Sequence, residues 1–289
     1  MPSAIKVLRP WQWLKNLLIF IPYFLKFKNI DIDFLNVLIV FFIFSLFVSS
    51  TYIFNDLKDI NLDRQHALKK YRPIASGELE IKFAKYYGFF LFFGSLGIMF
   101  IINQTTAIYF LLYSLITFLY TNYFKYISVV DTFSISSMFL IRVFVGGAIA
   151  DVAITIYLGS FIFFASCLLS ISKKISILNS ENQSKNSEFF ILIQEQNQKI
   201  SLKYLYYFFG LMSFISISAW LLNLYNTFEN TININFLLLT NLFYLIFLRL
   251  VFVTSVEGKL EDFSRELVNN KRILIVTVLL IFTFSLGYF

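Results

Sequence analysis

Apolar residues run along this chain in long blocks, and polar residues fill the gaps between them. A membrane-spanning helix needs about 20 mostly apolar residues. Nine blocks approach that length, near 12–27, 34–54, 83–102, 105–123, 129–149, 154–172, 204–224, 235–254 and 272–289. The first is the weakest, because Lys15 and Asn16 interrupt it. The pattern predicts an all-α, polytopic membrane protein of nine transmembrane helices. No repeat and no long linker divides the blocks, so one domain over 1–289 is expected. No apolar leader followed by a small-residue cleavage site precedes the first block, so the chain reads as starting at its mature N-terminus.

Composition agrees with lipid as the main solvent. Hydrophobic residues make up 58% of the 289 and charged residues 14%, where soluble domains carry about 25% charged. A soluble globule could not hide so much Phe, Ile and Leu. The single cysteine, Cys167, and the single histidine, His66, exclude an internal disulfide, a cysteine metal cluster and a multi-histidine metal site.

Basic residues mark the inner face of a membrane protein. With the N-terminus inside, all but three of the 24 Lys and Arg residues fall on the cytoplasmic side. The exceptions are Lys26 and Lys28 outside and Arg142 within a block. An integral, multi-pass cell-membrane protein with a cytoplasmic N-terminus is expected. No nucleic-acid partner is expected; a homo-oligomer is compatible with this reading.

The polar residues that carry chemistry gather on that inner side. After the second block comes FNDLKDINLDRQHALKKYRPIASGEL. Residues three or four apart on a helix are neighbours, so Asp56, Asp59 and Asp63 form one acidic stripe, beside Asn55. Such carboxylates raise one another's pKa unless a cation intervenes, and hard oxygen ligands favour Mg²⁺. A solvated loop, with Lys58 and Arg64 pairing the acids, is the plainer account. The N-terminal LRPWQWLKNLLIF sets Arg9, Gln12, Lys15 and Asn16 beside Trp11 and Trp13, a composition that also suits an interfacial belt.

Further along, YTNYFKYISVVD contributes Lys125 and Asp131, and the next block carries Ser134 and Arg142 on the face of Asp131. An intramembrane arginine costs roughly 2.5–3.5 kcal/mol on insertion scales, so it faces a cavity or partner, or snorkels outward. Gly146 and Gly147 read as close-packing positions. After the sixth block stand Lys173 and Lys174, which the inner-face bias alone would explain. The loop EGKLEDFSRELVNN is helical in pattern and carries no assigned chemistry. An acidic metal stripe with several bases suits a phosphate or diphosphate ligand, and the membrane location suits a substrate with a long apolar tail.

NDLKDINLD resembles the NDxxDxxxD signature of the UbiA superfamily of intramembrane prenyltransferases, whose members have nine spans with the acidic motif after the second. The likeness is closer to the polyprenyl-phosphate phosphoribosyltransferase branch, typified by decaprenyl-phosphate phosphoribosyltransferase. It rests on LRPWQWLKN at 8–16, NDLKDINLDRQHALKKYRPIASGEL at 55–79 and VVDTFSISSMFLIRVFVGGAIA at 129–150. The second half of the chain matches mainly in hydropathy.

The resemblance implies nine helices around a central cavity open to the cytoplasmic side. It also implies Mg²⁺-dependent transfer of a 5-phosphoribosyl group from 5-phosphoribosyl 1-diphosphate to a polyprenyl phosphate lipid, with release of diphosphate. Carried over by motif, Asn55, Asp56, Asp59 and Asp63 would hold the Mg²⁺, with the three aspartates catalytic. Lys15, Asn16, Arg72, Lys125, Asp131, Arg142, Lys173 and Lys174 would bind the substrates. Members that use a prenyl diphosphate carry a second aspartate-rich motif after the sixth span, where this chain has Lys173 and Lys174. The branch continues there with a Tyr and a Glu; this chain has Ile175 and Ile177. The alternative function is transfer of a prenyl group from its diphosphate to an aromatic or other acceptor. A transporter or flippase is a third reading, disfavoured by the lack of a repeat and by acids at a helix end.

Overall fold

The computed structural model of the chain describes residues 2–26, 34–65, 69–180, 191, 193–195, 197, 200–227, 233–260 and 263–288. Lys28, His66, Lys185 and Lys199 lie outside them. The described residues are helical throughout, with no strand. Eight long helices carry the architecture: α1 (Phe34–Lys58), α2 (Ile81–Ile102), α3 (Gln104–Asn122), α4 (Val130–Ala150), α5 (Ile156–Asn179), α6 (Leu202–Thr227), α7 (Ile234–Val256) and α8 (Lys271–Tyr288). Six of them, α1, α2, α4, α5, α6 and α7, are long and apolar enough to cross a membrane. The expected apolar blocks thus coincide with helical segments; length and hydropathy together single out these six.

The first block folds differently from an ordinary helix. Pro10–Phe20 is a 3-10 helix of 11 residues, and Ile21–Leu25 continues as one turn of α-helix. At about 2.0 Å per 3-10 residue and 1.5 Å per α residue, the segment extends roughly 30 Å, against roughly 24 Å if wholly α-helical. The tighter winding lets a short block reach the depth of a hydrocarbon core.

The chain packs as two compact units. The first comprises Met1–Lys125 and Ser137–Ile154; the second comprises Tyr126–Ser136 and Thr155–Phe289. In the first, α1 lies along α2 and α3 around Phe44, Phe47, Met99 and Phe110, all fully buried. The Phe47 and Phe110 rings are 4.8 Å apart and Phe44 and Phe110 5.0 Å, within the range for favourable aromatic pairs. A smaller cluster of Val7, Leu8, Ile53, Ile74 and Leu79 ties the N-terminus and the Pro73–Ser76 turn to the end of α1.

Two glycines set backbone distances in this unit. A Cβ on Gly146 would overlap the Ile19 carbonyl, and one on Gly147 would sit 2.8 Å from the Val152 oxygen. The close-packing role expected of both is what the structure shows. In the second unit α5 packs on α6 and α7 on α8, around Leu168, Ile171, Phe209 and Val251. Large apolar side chains such as Phe90, Ile101 and Tyr204 point outward from the helices, as lipid-facing residues do.

Candidate functional site

The acidic stripe begins on the last turn of α1. The backbone bends at Asp59 and resumes as the Ile60–Gln65 helix. Hydrogen bonds from Asp59 N to Asn55 O (2.9 Å) and from Asp63 N to Asp59 O (2.8 Å) carry helical spacing through the bend. Asp56 and Asp63 therefore share one side, and both are buried. Arg72 Nη1 donates to both, at 3.1 Å from Asp56 Oδ1 and 2.6 Å from Asp63 Oδ2. Arg9 pairs with Asp56 as well.

The bases that local spacing suggested do not hold these acids. Lys58 donates to Asn122 Oδ1 and the Thr121 carbonyl, and Arg64 Nε donates to the Ala75 carbonyl. The cations come from distant segments instead. Arg9 precedes Pro10 and has φ 53°, a left-handed conformation rare outside glycine. Arg72 caps the Pro73–Ser76 turn, which the Ile74 and Leu79 cluster anchors.

Asp59 stands apart from the buried pair. It is partly exposed and lies 3.9 Å from Lys125, in the Phe124–Tyr126 turn. Asn55 accepts a hydrogen bond from Thr121 Oγ1 at 2.8 Å. Among the described residues no three His, Cys, Asp or Glu side chains converge as a ready-made metal cluster. The donor set nevertheless fits Mg²⁺. Two buried carboxylates already converge on one cationic nitrogen, and Mg²⁺ is usually bound by one or two carboxylates, with water and substrate phosphates completing its shell.

Also in the first unit, Arg142 is buried. Its Nε donates to Asn16 Oδ1 at 2.8 Å, Nη1 to the Met138 carbonyl at 2.6 Å and Nη2 to Tyr113 Oη at 3.2 Å. The rings of Phe139 and Tyr113 flank the guanidinium at 5.0 and 5.2 Å. Asn16 is buried in turn and donates to Ser45 Oγ at 2.9 Å. Lys15, its neighbour, is half-buried. Trp13 donates its indole N–H to Ser49, which anchors the 3-10 segment to α1.

The second unit holds a separate acid–base pair. Lys174 Nζ meets Asp131 Oδ2 at 2.5 Å with both side chains buried, and Lys174 also donates to Thr132 Oγ1 at 3.2 Å. Asp131 lies in the first turn of α4, where a helix favours negative charge. Val129, just before it, has φ 70°, strained for a β-branched residue; strain of this kind gathers at functional sites. Lys173 and Lys174 do not act as a matched pair, because Lys173 is exposed while Lys174 is buried.

Fold and site define an all-helical, multi-pass membrane protein with buried acid–base clusters at helix ends. The chain belongs to the UbiA prenyltransferase family, whose family model matches residues 28–259. It is 32% identical over 181 residues to the decaprenyl-phosphate phosphoribosyltransferase of Mycolicibacterium smegmatis, covering 61% of this chain and 57% of that protein. The enzyme of the same name from Mycobacterium tuberculosis is 28% identical over 182 residues, covering 61% and 60%. The matches thus span under two thirds of these relatives' lengths. The family and branch likeness read from the sequence is borne out. A UbiA homolog from Archaeoglobus fulgidus, solved bound to DMAPP and Mg²⁺, superposes with a TM-score of 0.71 at 17% identity and 98% coverage of each chain. That likeness shows the fold.

Proposed function

We propose that this protein transfers a 5-phosphoribosyl group from 5-phosphoribosyl 1-diphosphate to a polyprenyl monophosphate. The C1–O bond to diphosphate breaks, a C1–O bond to the lipid phosphate forms, and diphosphate leaves. The observation that carries the choice of donor is the inner end of α5. Its own sequence there carries Lys173 and Lys174 and no Asp or Glu, where a prenyl diphosphate enzyme of this family would need a second acidic motif. The named relatives point the same way.

In this reading Asn55, Asp56, Asp59 and Asp63 would hold the Mg²⁺ that serves the donor diphosphate. Bound there, it would supply neutralisation of the charge that grows on the leaving group in the transition state. Arg72 donates to both Asp56 and Asp63 and is placed at that pair to bind a phosphate oxygen of the donor. Arg142 supplies a guanidinium whose three acceptors are all neutral, so its charge is left for an anion. Lys15, Asn16, Lys125, Asp131, Lys173 and Lys174 are the further residues assigned to substrate binding in this reading. The attacking lipid phosphate is already ionised, so the mechanism needs no strong general base. We place the site and the N-terminus on the cytoplasmic side from the charge bias; single cysteines at Lys70 and Lys259 in a Cys167→Ser background should label only from inside.

A paired assay tests the function. Purified protein with Mg²⁺ receives labelled phosphoribosyl diphosphate with polyprenyl phosphate, or labelled prenyl diphosphate with an aromatic acid. Label should enter the lipid fraction from the sugar donor alone. Prenylation of the aromatic acid without sugar transfer would assign the protein to the other donor class.

A further inference from the structure

In the first unit, α1, α2 and α3 leave a cleft of about 490 Å³ between them, within the roughly 300–1,000 Å³ typical of small-ligand sites. Its lining is graded. Phe54, Phe92, Leu115 and Phe118 form an apolar stretch, and Asn55, Lys58, Thr121 and Asn122 form a polar end where α1 and α3 both stop. Leu115 and Phe118 are exposed, so the cleft opens sideways onto a surface that the bilayer covers.

At the polar end Lys58 stands out. Among the described residues its Nζ meets neutral acceptors, Asn122 Oδ1 at 2.6 Å and the Thr121 carbonyl at 3.2 Å. The nearby carboxylates are taken by other cations: Asp56 by Arg9 and Arg72, Asp59 by Lys125. Lys58 is exposed and lies at the end of the unit that the Lys and Arg bias assigns to the cytoplasmic, anionic leaflet. A cation with a spare donor, at the foot of an apolar slot that opens to lipid, complements a phosphate attached to an alkyl chain.

We propose that this cleft binds one anionic phospholipid of the surrounding leaflet. The phosphate rests on Lys58 and Asn122, and an acyl chain runs along Phe54, Phe92, Leu115 and Phe118. The cleft lies apart from the buried Asp56–Asp63 pair and shares only Asn55 with the acidic stripe. Asn55 and Lys58 line the cleft, whereas Asp56 turns the other way to Arg9 and Arg72. It still touches the stripe at one point, because Thr121, whose carbonyl Lys58 holds, donates to Asn55 at 2.8 Å. A bound lipid therefore steadies Asn55 without contacting the reacting atoms.

The test is native mass spectrometry of the full chain, released from detergent after equilibration with phosphatidylglycerol. Wild type should retain one phosphatidylglycerol per chain. Leu115→Trp, which fills the slot, should lower the retained fraction tenfold or more, and Lys58→Gln at least threefold. Lys82→Gln, exposed at the start of α2, should not change it. A photoactivatable phosphatidylglycerol on wild-type protein gives a second readout that needs no variant, and its crosslinks should fall on the cleft lining, at residues 51–58, 92 and 114–122. Equal retention in Leu115→Trp and Lys58→Gln would overturn the proposal. So would crosslinks confined to residues outside the cleft lining, or equimolar polyprenyl phosphate displacing the phospholipid from the cleft.

Discussion

Arg142 donates its Nε–H to the side-chain oxygen of Asn16 at 2.8 Å, and both residues are buried. This bond links the 3-10 segment at the N-terminus to α4. It gives an expensive intramembrane charge a fixed position without neutralising it, since Met138 O and Tyr113 Oη, its other acceptors, are also uncharged. Ser45 holds Asn16 from the far side, so the guanidinium is oriented through two layers of side chains.

Geometry as well as charge should therefore matter at Arg142. An ammonium cannot span three acceptors set around a planar fork. Arg142→Lys is expected to lower turnover at least about tenfold while the protein elutes from a sizing column as wild type does. Asn16→Ala should act through the same contact, so the double variant should be little worse than Arg142→Lys alone. Wild-type turnover in Arg142→Lys would leave the arginine a packing element.

The acidic stripe makes a second, separable prediction. Asp56→Asn, Asp59→Asn and Asp63→Asn should each reduce turnover by about a hundredfold, the scale of losing a transition-state charge partner. Asp56→Asn leaves Arg72 its bond to Asp63, and Asp63→Asn leaves it Asp56, so neither should unfold the cluster. Chelation of divalent ions should abolish activity and added Mg²⁺ restore it. Activity that persists under chelation would remove the metal from the mechanism.

What the sequence disclosed of this site follows from range. The stripe is local: Asp56, Asp59 and Asp63 lie within eight residues, so helical periodicity alone put Asp56 and Asp63 on one side. The apolar blocks were equally plain, because a run of about 20 apolar residues carries its own meaning. The cations that hold the acids were not legible. Arg9 lies 47 residues before Asp56, and no local pattern links them. Lys58 and Arg64, the nearby bases, serve backbone and amide oxygens instead. Likewise, adjacency made Lys173 and Lys174 read as a pair, although neighbours on a helix point about 100° apart. Asp131, 43 residues before Lys174 in sequence, is the true partner.

Packing in the first unit offers a test independent of chemistry. Gly146→Ala places a methyl on the Ile19 carbonyl, against backbone that cannot move aside cheaply. Yield and thermal stability should both fall. Gly94 on α2 has nothing within 4 Å of an added Cβ, so Gly94→Ala should stabilise by up to about 1 kcal/mol through helix propensity. Equal melting temperatures for the two variants would contradict the close approach of Gly146 to Ile19.

The Lys174–Asp131 pair separates a structural role from a functional one. Each side chain is buried, so removing one leaves an uncompensated charge, at a cost of about 3–5 kcal/mol. Lys174→Met and Asp131→Leu alone should each melt well below wild type. Together they remove both charges, and buried pairs replaced by apolar residues often lose little stability. The double variant should therefore recover most of the melting temperature. Its activity is the informative quantity. If Lys174 contacts a substrate phosphate, the double variant is folded yet at least about tenfold slower, the loss of one charge-assisted bond of roughly 1.5–3 kcal/mol. The deficit should appear in the KM of a phosphate-bearing substrate as well as in kcat. A double variant that is both stable and fully active would make the pair a latch between α4 and α5, and would remove Lys174 from the substrate site.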